Sequence, residues 1–274
     1  MFDSLLCSCE FVDGSFATQT DDPRITQKDT NNNACQKNLS AAPLKGLRKT
    51  NTYRYEGWPR RSTPTELIMA EVATQLAEIG QDFYRRGWVL GTSGNFSAVV
   101  GRDPLTLAMS PSGADKGRLS AEQILLIDEK ANVLSNHTSR PSAESQLHIR
   151  IAGELGAGAV LHTHSVWSTT LSDLHAAESG LAIEGFEMLK GLSDIQTHEH
   201  REWLPIVENS QDMLALSETV MIQLRQLPRS HGFLLRRHGL YTWGKDLSEA
   251  RRHIEILEFL LEAIGRGRIL NQSR

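Results

Sequence analysis

Ala157-Gly158-Ala159-Val160-Leu161-His162-Thr163-His164-Ser165 is an apolar run that ends in His-x-His and then turns polar. Such a run reads as a buried strand whose end opens onto a site. Residues two apart on a strand share a side, so His162 and His164 aim both imidazoles at one point. A strand offers two donors to a metal in this way; the plainer alternative is a surface strand carrying two histidines. Further along, Gly232-Phe233-Leu234-Leu235-Arg236-Arg237-His238-Gly239-Leu240 repeats the pattern, an apolar strand ending in a histidine before glycine. His238 is a natural third ligand, because neutral imidazole is the commonest metal donor among side chains. Three protein donors with one position left open is the arrangement of a catalytic zinc.

Three turns of small residues precede or flank this core: Gly91-Thr92-Ser93-Gly94-Asn95-Phe96-Ser97, Ser110-Pro111-Ser112-Gly113 and Arg140-Pro141-Ser142-Ala143-Glu144. Glycine and hydroxyl residues let backbone N–H groups converge on an anion, although each turn alone also reads as an ordinary tight turn. The first is not a Walker loop, since no Gly-Lys-Ser/Thr follows, nor a dinucleotide fingerprint, since the third glycine and the helix are missing. Ser142 is expected to cap a helix running to about Gly153, with Glu144 in its first turn. Glu144 there either does chemistry or merely favours the helix dipole. Together the three turns point to a phosphate pocket.

The remaining elements frame this core. Ile68, Val72, Leu76, Ile79 and Phe83 recur at helical spacing and predict a core-facing helix over Thr65 to Arg86, ended by Gly87. Strands are expected at Phe96 to Val100, Leu105 to Met109 and Leu204 to Val207. Helices are expected at Ser165 to Leu171, Gln211 to Gln226 and Leu247 to Ile264, the last with an Asp246/Glu249 capping box. Glu187 and Lys190 read as a helical surface pair, and His198 and His200 as solvated.

The 274 residues carry 39% hydrophobic residues, a net charge of −4 and three cysteines. Residues 13–55 are mostly Thr, Asn, Gln, Asp, Lys and Ser without apolar periodicity, which predicts a disordered extension over residues 1–62 ahead of one domain over 63–274. Its short apolar start is broken by Asp3 and Glu10 and does not make a secretory signal. No run approaches the roughly 18 apolar residues that span a membrane. Cys7, Cys9 and Cys35 all fall in the extension, so the globular part uses no disulfide, in keeping with a reducing, cytoplasmic setting. The absence of a basic stripe argues against nucleic acid.

His162-x-His164 with a later His238, preceded by the turns at Gly91 to Asn95, Ser110 to Gly113 and Pro141 to Glu144, resembles the class II aldolase/adducin family. The resemblance covers about Thr63 to Ile264. It implies an α/β fold, an α/β/α sandwich around a mostly antiparallel sheet, assembled as a homotetramer with active sites near subunit interfaces. Phe186-Glu187-Met188-Leu189-Lys190-Gly191, Leu204 to Asp212 and Arg236 to Gly244 resemble a dehydratase branch of the family, zinc enzymes of methionine salvage acting on a phosphorylated ketose. By position, the resemblance implies His162, His164 and His238 as zinc ligands and Glu187 as the acid/base. It implies Gly94, Asn95, Ser112, Gly113 and Ser142 as phosphate contacts. Ala143 stands where aldolases often have a second serine. Glu144 matches the aldolases' catalytic glutamate and keeps a zinc-dependent aldolase or epimerase as the alternative. An adducin-like interaction module would have lost its histidines, and all three are present.

Overall fold

The computed structural model describes residues 64–135 and 137–272. The expected extension, its cysteines and the Thr63 cap lie outside them. Helix α1 (Pro64–Arg85) buries Leu76, Ile79 and Phe83 along one stripe, and Gly87 reverses the chain with φ +76°. Only glycine takes such a φ without cost. Strands β1 (Asn95–Arg102) and β2 (Leu105–Met109) form a hairpin, followed by β3 (Leu125–Asp128). Next come α2 (Ser145–Glu154), β4 (Ala159–Thr163), α3 (Val166–Leu174) and β5 (Gly180–Ile183). The chain continues with β6 (Glu202–Val207), α4 (Met213–Gln226), β7 (Gly232–Leu235), β8 (Gly239–Gly244) and α5 (Leu247–Gln272).

The strands make one eight-stranded sheet in the order β3-β2-β1-β4-β8-β7-β6-β5. Every pairing is antiparallel except β6 with β7. Side chains alternate across it, as the period of two requires. Leu161, Leu234 and Leu240 join residues of α1, α3 and α5 in one core, while Val160, Phe233, Leu235 and Tyr241 join residues of α2 and α4 in another. The result is the α/β/α sandwich expected. Each fully buried Leu or Phe contributes about 1.5–3 kcal/mol. Among the described residues no helix is long and apolar enough to cross a membrane.

The structure corrects several expected boundaries. Gly232 to Leu240 is not one strand but two, joined by a tight turn in which Arg237 takes φ 54°. Helix α2 starts at Ser145, with Glu144 rather than Ser142 at its N-cap position; the Ser142 hydroxyl instead accepts the Glu144 N–H at 3.2 Å. Ser165 is the cap of α3, accepting from the Ser168 N–H. The Asp246 carboxylate accepts the Glu249 N–H at 2.8 Å, but Glu249 reaches back to Lys245 N rather than Asp246 N. Helix α5 runs about two turns past the expected end at Ile264, to Gln272.

Candidate metal centre

Three adjacent strands set up the site. Asn95 on β1 pairs with His162 on β4, and His162 pairs with Tyr241 on β8. These three residues therefore form a row on the face covered by α2 and α4. His164 lies just past the end of β4, its N–H bonded to the Trp88 carbonyl at 2.7 Å. His238 sits in the β7–β8 turn, docked on α3 by Thr169 Oγ1 donating to the His238 carbonyl at 2.9 Å and by Arg237 N–H donating to Ser172 Oγ at 2.9 Å. Gly239 is required next to it, because any Cβ there would run into the Thr163 carbonyl.

The Nε2 atoms of His162, His164 and His238 converge. They are 2.7 Å apart for the first two, 3.0 Å for His164 and His238, and 3.3 Å for His162 and His238. The three side chains form a group able to hold a metal ion. The donor set fits one: ligands at 2.0–2.1 Å in a tetrahedron stand about 3.3 Å from each other. His162 Nδ1 donates to the Leu240 carbonyl at 2.9 Å, which leaves the lone pair on Nε2, facing the other two. The ring is further clamped by Tyr241, stacked at 3.8 Å. Burial, then repulsion from the neighbouring imidazoles, holds the His162 pKa well below its ordinary value. Burial pushes His164 down to about 3 and also lowers His238, against the pull of Glu144. The cluster is neutral at physiological pH, the state a metal needs.

Glu144 reaches this cluster. One carboxylate oxygen is 3.2 Å from His238 Nε2 and the other 3.8 Å from His162 Nε2. It also accepts a hydrogen bond from Asn95 Nδ2. Glu187 does not join them. It opens a short helix over residues 187–191, its side chain is 72% exposed, and its partners are Lys190 Nζ at 2.7 Å and His198 at 3.8 Å. The Lys190 hydrogen bond holds its carboxyl below the usual range, so the raised pKa expected of a buried proton donor is absent in a single chain. The surface-pair reading of Glu187 and Lys190 describes the geometry found.

The three small-residue turns are stitched together beside the histidines. Asn95 Nδ2 donates to Ser142 Oγ at 3.3 Å, and Ser112 N–H to the Arg140 carbonyl at 2.9 Å. Gly94 and Gly113 take φ near +70°, and a Cβ on Gly94 would stand 2.7 Å from the His162 carbonyl. Asn95 departs from expectation: its amide is committed to Ser142 and Glu144 instead of being free for an anion. Sequence reading missed Lys116. Its ammonium is buried and donates to the carbonyls of Ala114 at 3.0 Å and Thr92 at 3.4 Å, bridging two of the turns. Burial lowers its pKa to about 8, which Asp115 and Glu144 partly oppose. Tyr241 was missed too. Among the described residues its buried hydroxyl has no partner with hydrogen-bond geometry, and burial, then the Glu144 charge, pushes its pKa well up.

A cleft of about 980 Å³ opens at the other end of β7 and β8, lined among others by Ser193, His200, His231, Trp243 and His253. His200 is not solvated as expected; it bonds the buried Glu202 at 2.8 Å. His198 is more than half exposed.

Comparison with known proteins fits this geometry. Residues 74–264 match the model of the class II aldolase and adducin N-terminal domain. The chain belongs to the class II aldolase and adducin family. Within it, the chain is 40% identical over 196 residues to a methylthioribulose-1-phosphate dehydratase of Marinobacter nauticus, covering 70% of this chain and 92% of the relative. It is 39% identical to the protein of that name from Sorangium cellulosum, covering 70% and 91%. Among solved structures, YgbL of Escherichia coli superposes with a TM-score of 0.60 at 25% identity, over 72% of this chain and 89% of that one. The l-fuculose-1-phosphate aldolase of Thermus thermophilus shares the fold, with a TM-score of 0.60 at 23% identity over 74% and 98%. The class II aldolase and adducin match spans α1 to α5 and includes all three histidines.

Proposed function

We propose that this chain is a zinc-dependent hydro-lyase that removes water from 5-methylthioribulose 1-phosphate in methionine salvage. The product would be 2,3-diketo-5-methylthiopentyl 1-phosphate. The convergence of three neutral imidazoles on one point carries the reading; the names of the relatives at about 40% identity support the substrate. His162, His164 and His238 would hold the ion, leaving a position open for substrate oxygen. The chemistry zinc supplies in such a site is Lewis-acid polarisation of a carbonyl.

The reaction breaks the C3–H and C4–OH bonds and releases both as water; the resulting enol becomes the diketone. The turns at Gly94, Ser112 and Gly113, and Ser142 would hold the phosphate, with Lys116 supplying a buried positive charge between two of them, while the Asn95 side chain stays bonded to Ser142 and Glu144. Positioning of this kind can contribute several kcal/mol. Glu187 would protonate the departing C4 hydroxyl. Its exposure fits a homotetramer with sites near subunit interfaces, where a surface carboxylate can serve a neighbouring copy. Glu144, 3.2 Å from His238 Nε2, would accept a proton from a substrate bound at the cluster. That placement also favours the second reading, a zinc-dependent aldolase or epimerase using Glu144 as acid/base. Cysteine usage supports a cytoplasmic setting.

Purified chain incubated with methylthioribulose 1-phosphate is expected to form diketone, to stop on chelation and to recover with added zinc. Aldehyde release without diketone would replace the dehydratase with the aldolase reading.

A further inference from the structure

Three buried residues, Ser97, His148 and Asn95, form a line that ends on Glu144, and the proposed chemistry uses neither Ser97 nor His148. Ser97 and Asn95 lie two apart on β1 and share a face. Glu144 and His148 lie four apart at the start of α2 and share a face of that helix. The two faces meet. Ser97 Oγ is 2.8 Å from His148 Nδ1, and His148 Nε2 is 2.5 Å from Asn95 Oδ1. Asn95 Nδ2 then bonds Glu144, whose other oxygen is 3.2 Å from His238 Nε2. Ser97 and His148 are fully buried and Asn95 is 5% exposed.

The polarity of the line follows from its end. An ionised carboxylate only accepts, so Asn95 must turn its amide nitrogen toward Glu144 and its oxygen toward His148. His148 must then carry its proton on Nε2, which leaves a lone pair on Nδ1 for the Ser97 hydroxyl to fill. A neutral imidazole is required for this, and burial holds His148 neutral, with a pKa of about 3. Without the His148 donor the Asn95 oxygen loses its buried partner, and the amide is held only from its nitrogen side, by Glu144 and by Ser142 Oγ at 3.3 Å.

We propose that His148 is a positioning residue that, acting through Asn95, holds the Glu144 carboxylate against the three-imidazole cluster. The proposal rests on the reading of that cluster as a metal centre. Partners of this outer kind are worth about 10–100-fold in metal affinity or activity.

The test is zinc affinity of the full chain by chelator competition, with kcat and KM alongside. His148→Leu is expected to weaken zinc binding about tenfold or more. His148→Gln, whose amide N–H can still reach Asn95, should recover most of the loss. On a Glu144→Gln background, His148→Leu should cost nothing further. Ile151→Ala, a core truncation on the same helix, should lower Tm while leaving the zinc Kd unchanged. If wild-type chain binds no zinc, the metal reading falls and takes the proposal with it. If wild type binds and His148→Leu binds equally well, or its loss persists on the Glu144→Gln background, the positioning role alone is overturned. Should His148→Leu not fold, His148→Ala takes its place on the same terms: a zinc Kd about tenfold weaker that disappears on the Glu144→Gln background supports the role, and an unchanged Kd overturns it.

Discussion

Glu144 and Glu187 are both candidates for the proton work, and their surroundings differ. The Glu144 side chain is 14% exposed and touches two of the imidazoles; that of Glu187 is 72% exposed and paired with Lys190. Glu187→Gln is expected to keep its metal and lose about 10²–10⁴-fold in turnover, the usual worth of a positioned acid or base. Glu144→Gln removes a negative charge beside the cluster, so metal content and turnover should fall together. Metal analysis and steady-state diketone formation on both variants check this; near-normal turnover in Glu187→Gln would strip it of the acid/base role. The histidine pair was legible in the sequence because alternation on a strand is a short-range rule, satisfied by two residues and their flanks. Lys116 was not. In Ala114-Asp115-Lys116-Gly117-Arg118 it looks like one surface charge among others. Its burial comes from a carbonyl 24 residues earlier in the chain, which no local pattern records. His148 was hidden for the same reason: a histidine inside a helix gains a role only from β1.

At the scale of elements, the end of the sheet away from the histidines is held by charge. Glu202, at the start of β6, accepts from His231 N–H and His231 Nδ1, both at 3.0 Å, and from His200 Nε2 at 2.8 Å. His231 Nε2 also donates, to the Ser193 carbonyl at 2.9 Å, so the ring carries both protons. Burial opposes both charges, but each partner overrides it: the Glu202 pKa is lowered from 4.5 and the His231 pKa raised from 6.5. A lowered carboxyl stabilises above its unfolded value and fails as pH drops through its folded one. A raised imidazole stabilises below its unfolded value and fails as pH climbs through its folded one. The pair therefore contributes most between pH 4.5 and 6.5 and less on either side. Urea melts within and beyond that window should show this, and Glu202→Gln should lose about 3–5 kcal/mol inside it. At the opposite end Gly239→Ala forces a methyl into the β4 backbone, at a cost of about 1–3 kcal/mol. Because residue 239 follows His238, metal content should fall with Tm. Strand β8 was not legible, since Arg236-Arg237-His238 breaks the apolar run with no proline or asparagine to announce a turn. The turn exists because α3 supplies Thr169, Ser172 and Asp173 to hold it.

A single chain builds the three-imidazole cluster, with Glu144 and the small-residue turns beside it, yet carries the proposed acid on its surface. If Glu187 works only on its own chain's cluster, the short helix it opens must move inward. If it serves a neighbouring copy, the site is complete only in the assembly that the family resemblance implies. Mixing inactive subunits separates the two. His238→Ala lacks a ligand but retains Glu187; Glu187→Gln retains the cluster but lacks the acid. Refolded together in equal amounts into a closed homo-oligomer, about a quarter of the sites would pair an intact cluster with an intact Glu187 from the adjacent subunit. Turnover near a quarter of wild type is then expected from two proteins that are each inactive alone. Within one chain no mixture can reunite the two groups, so a mixed assembly of confirmed composition that stays inactive would place the acid on the same chain as its metal. Light scattering on the mixture supplies the needed control, because subunits that never associate cannot complement whichever geometry holds.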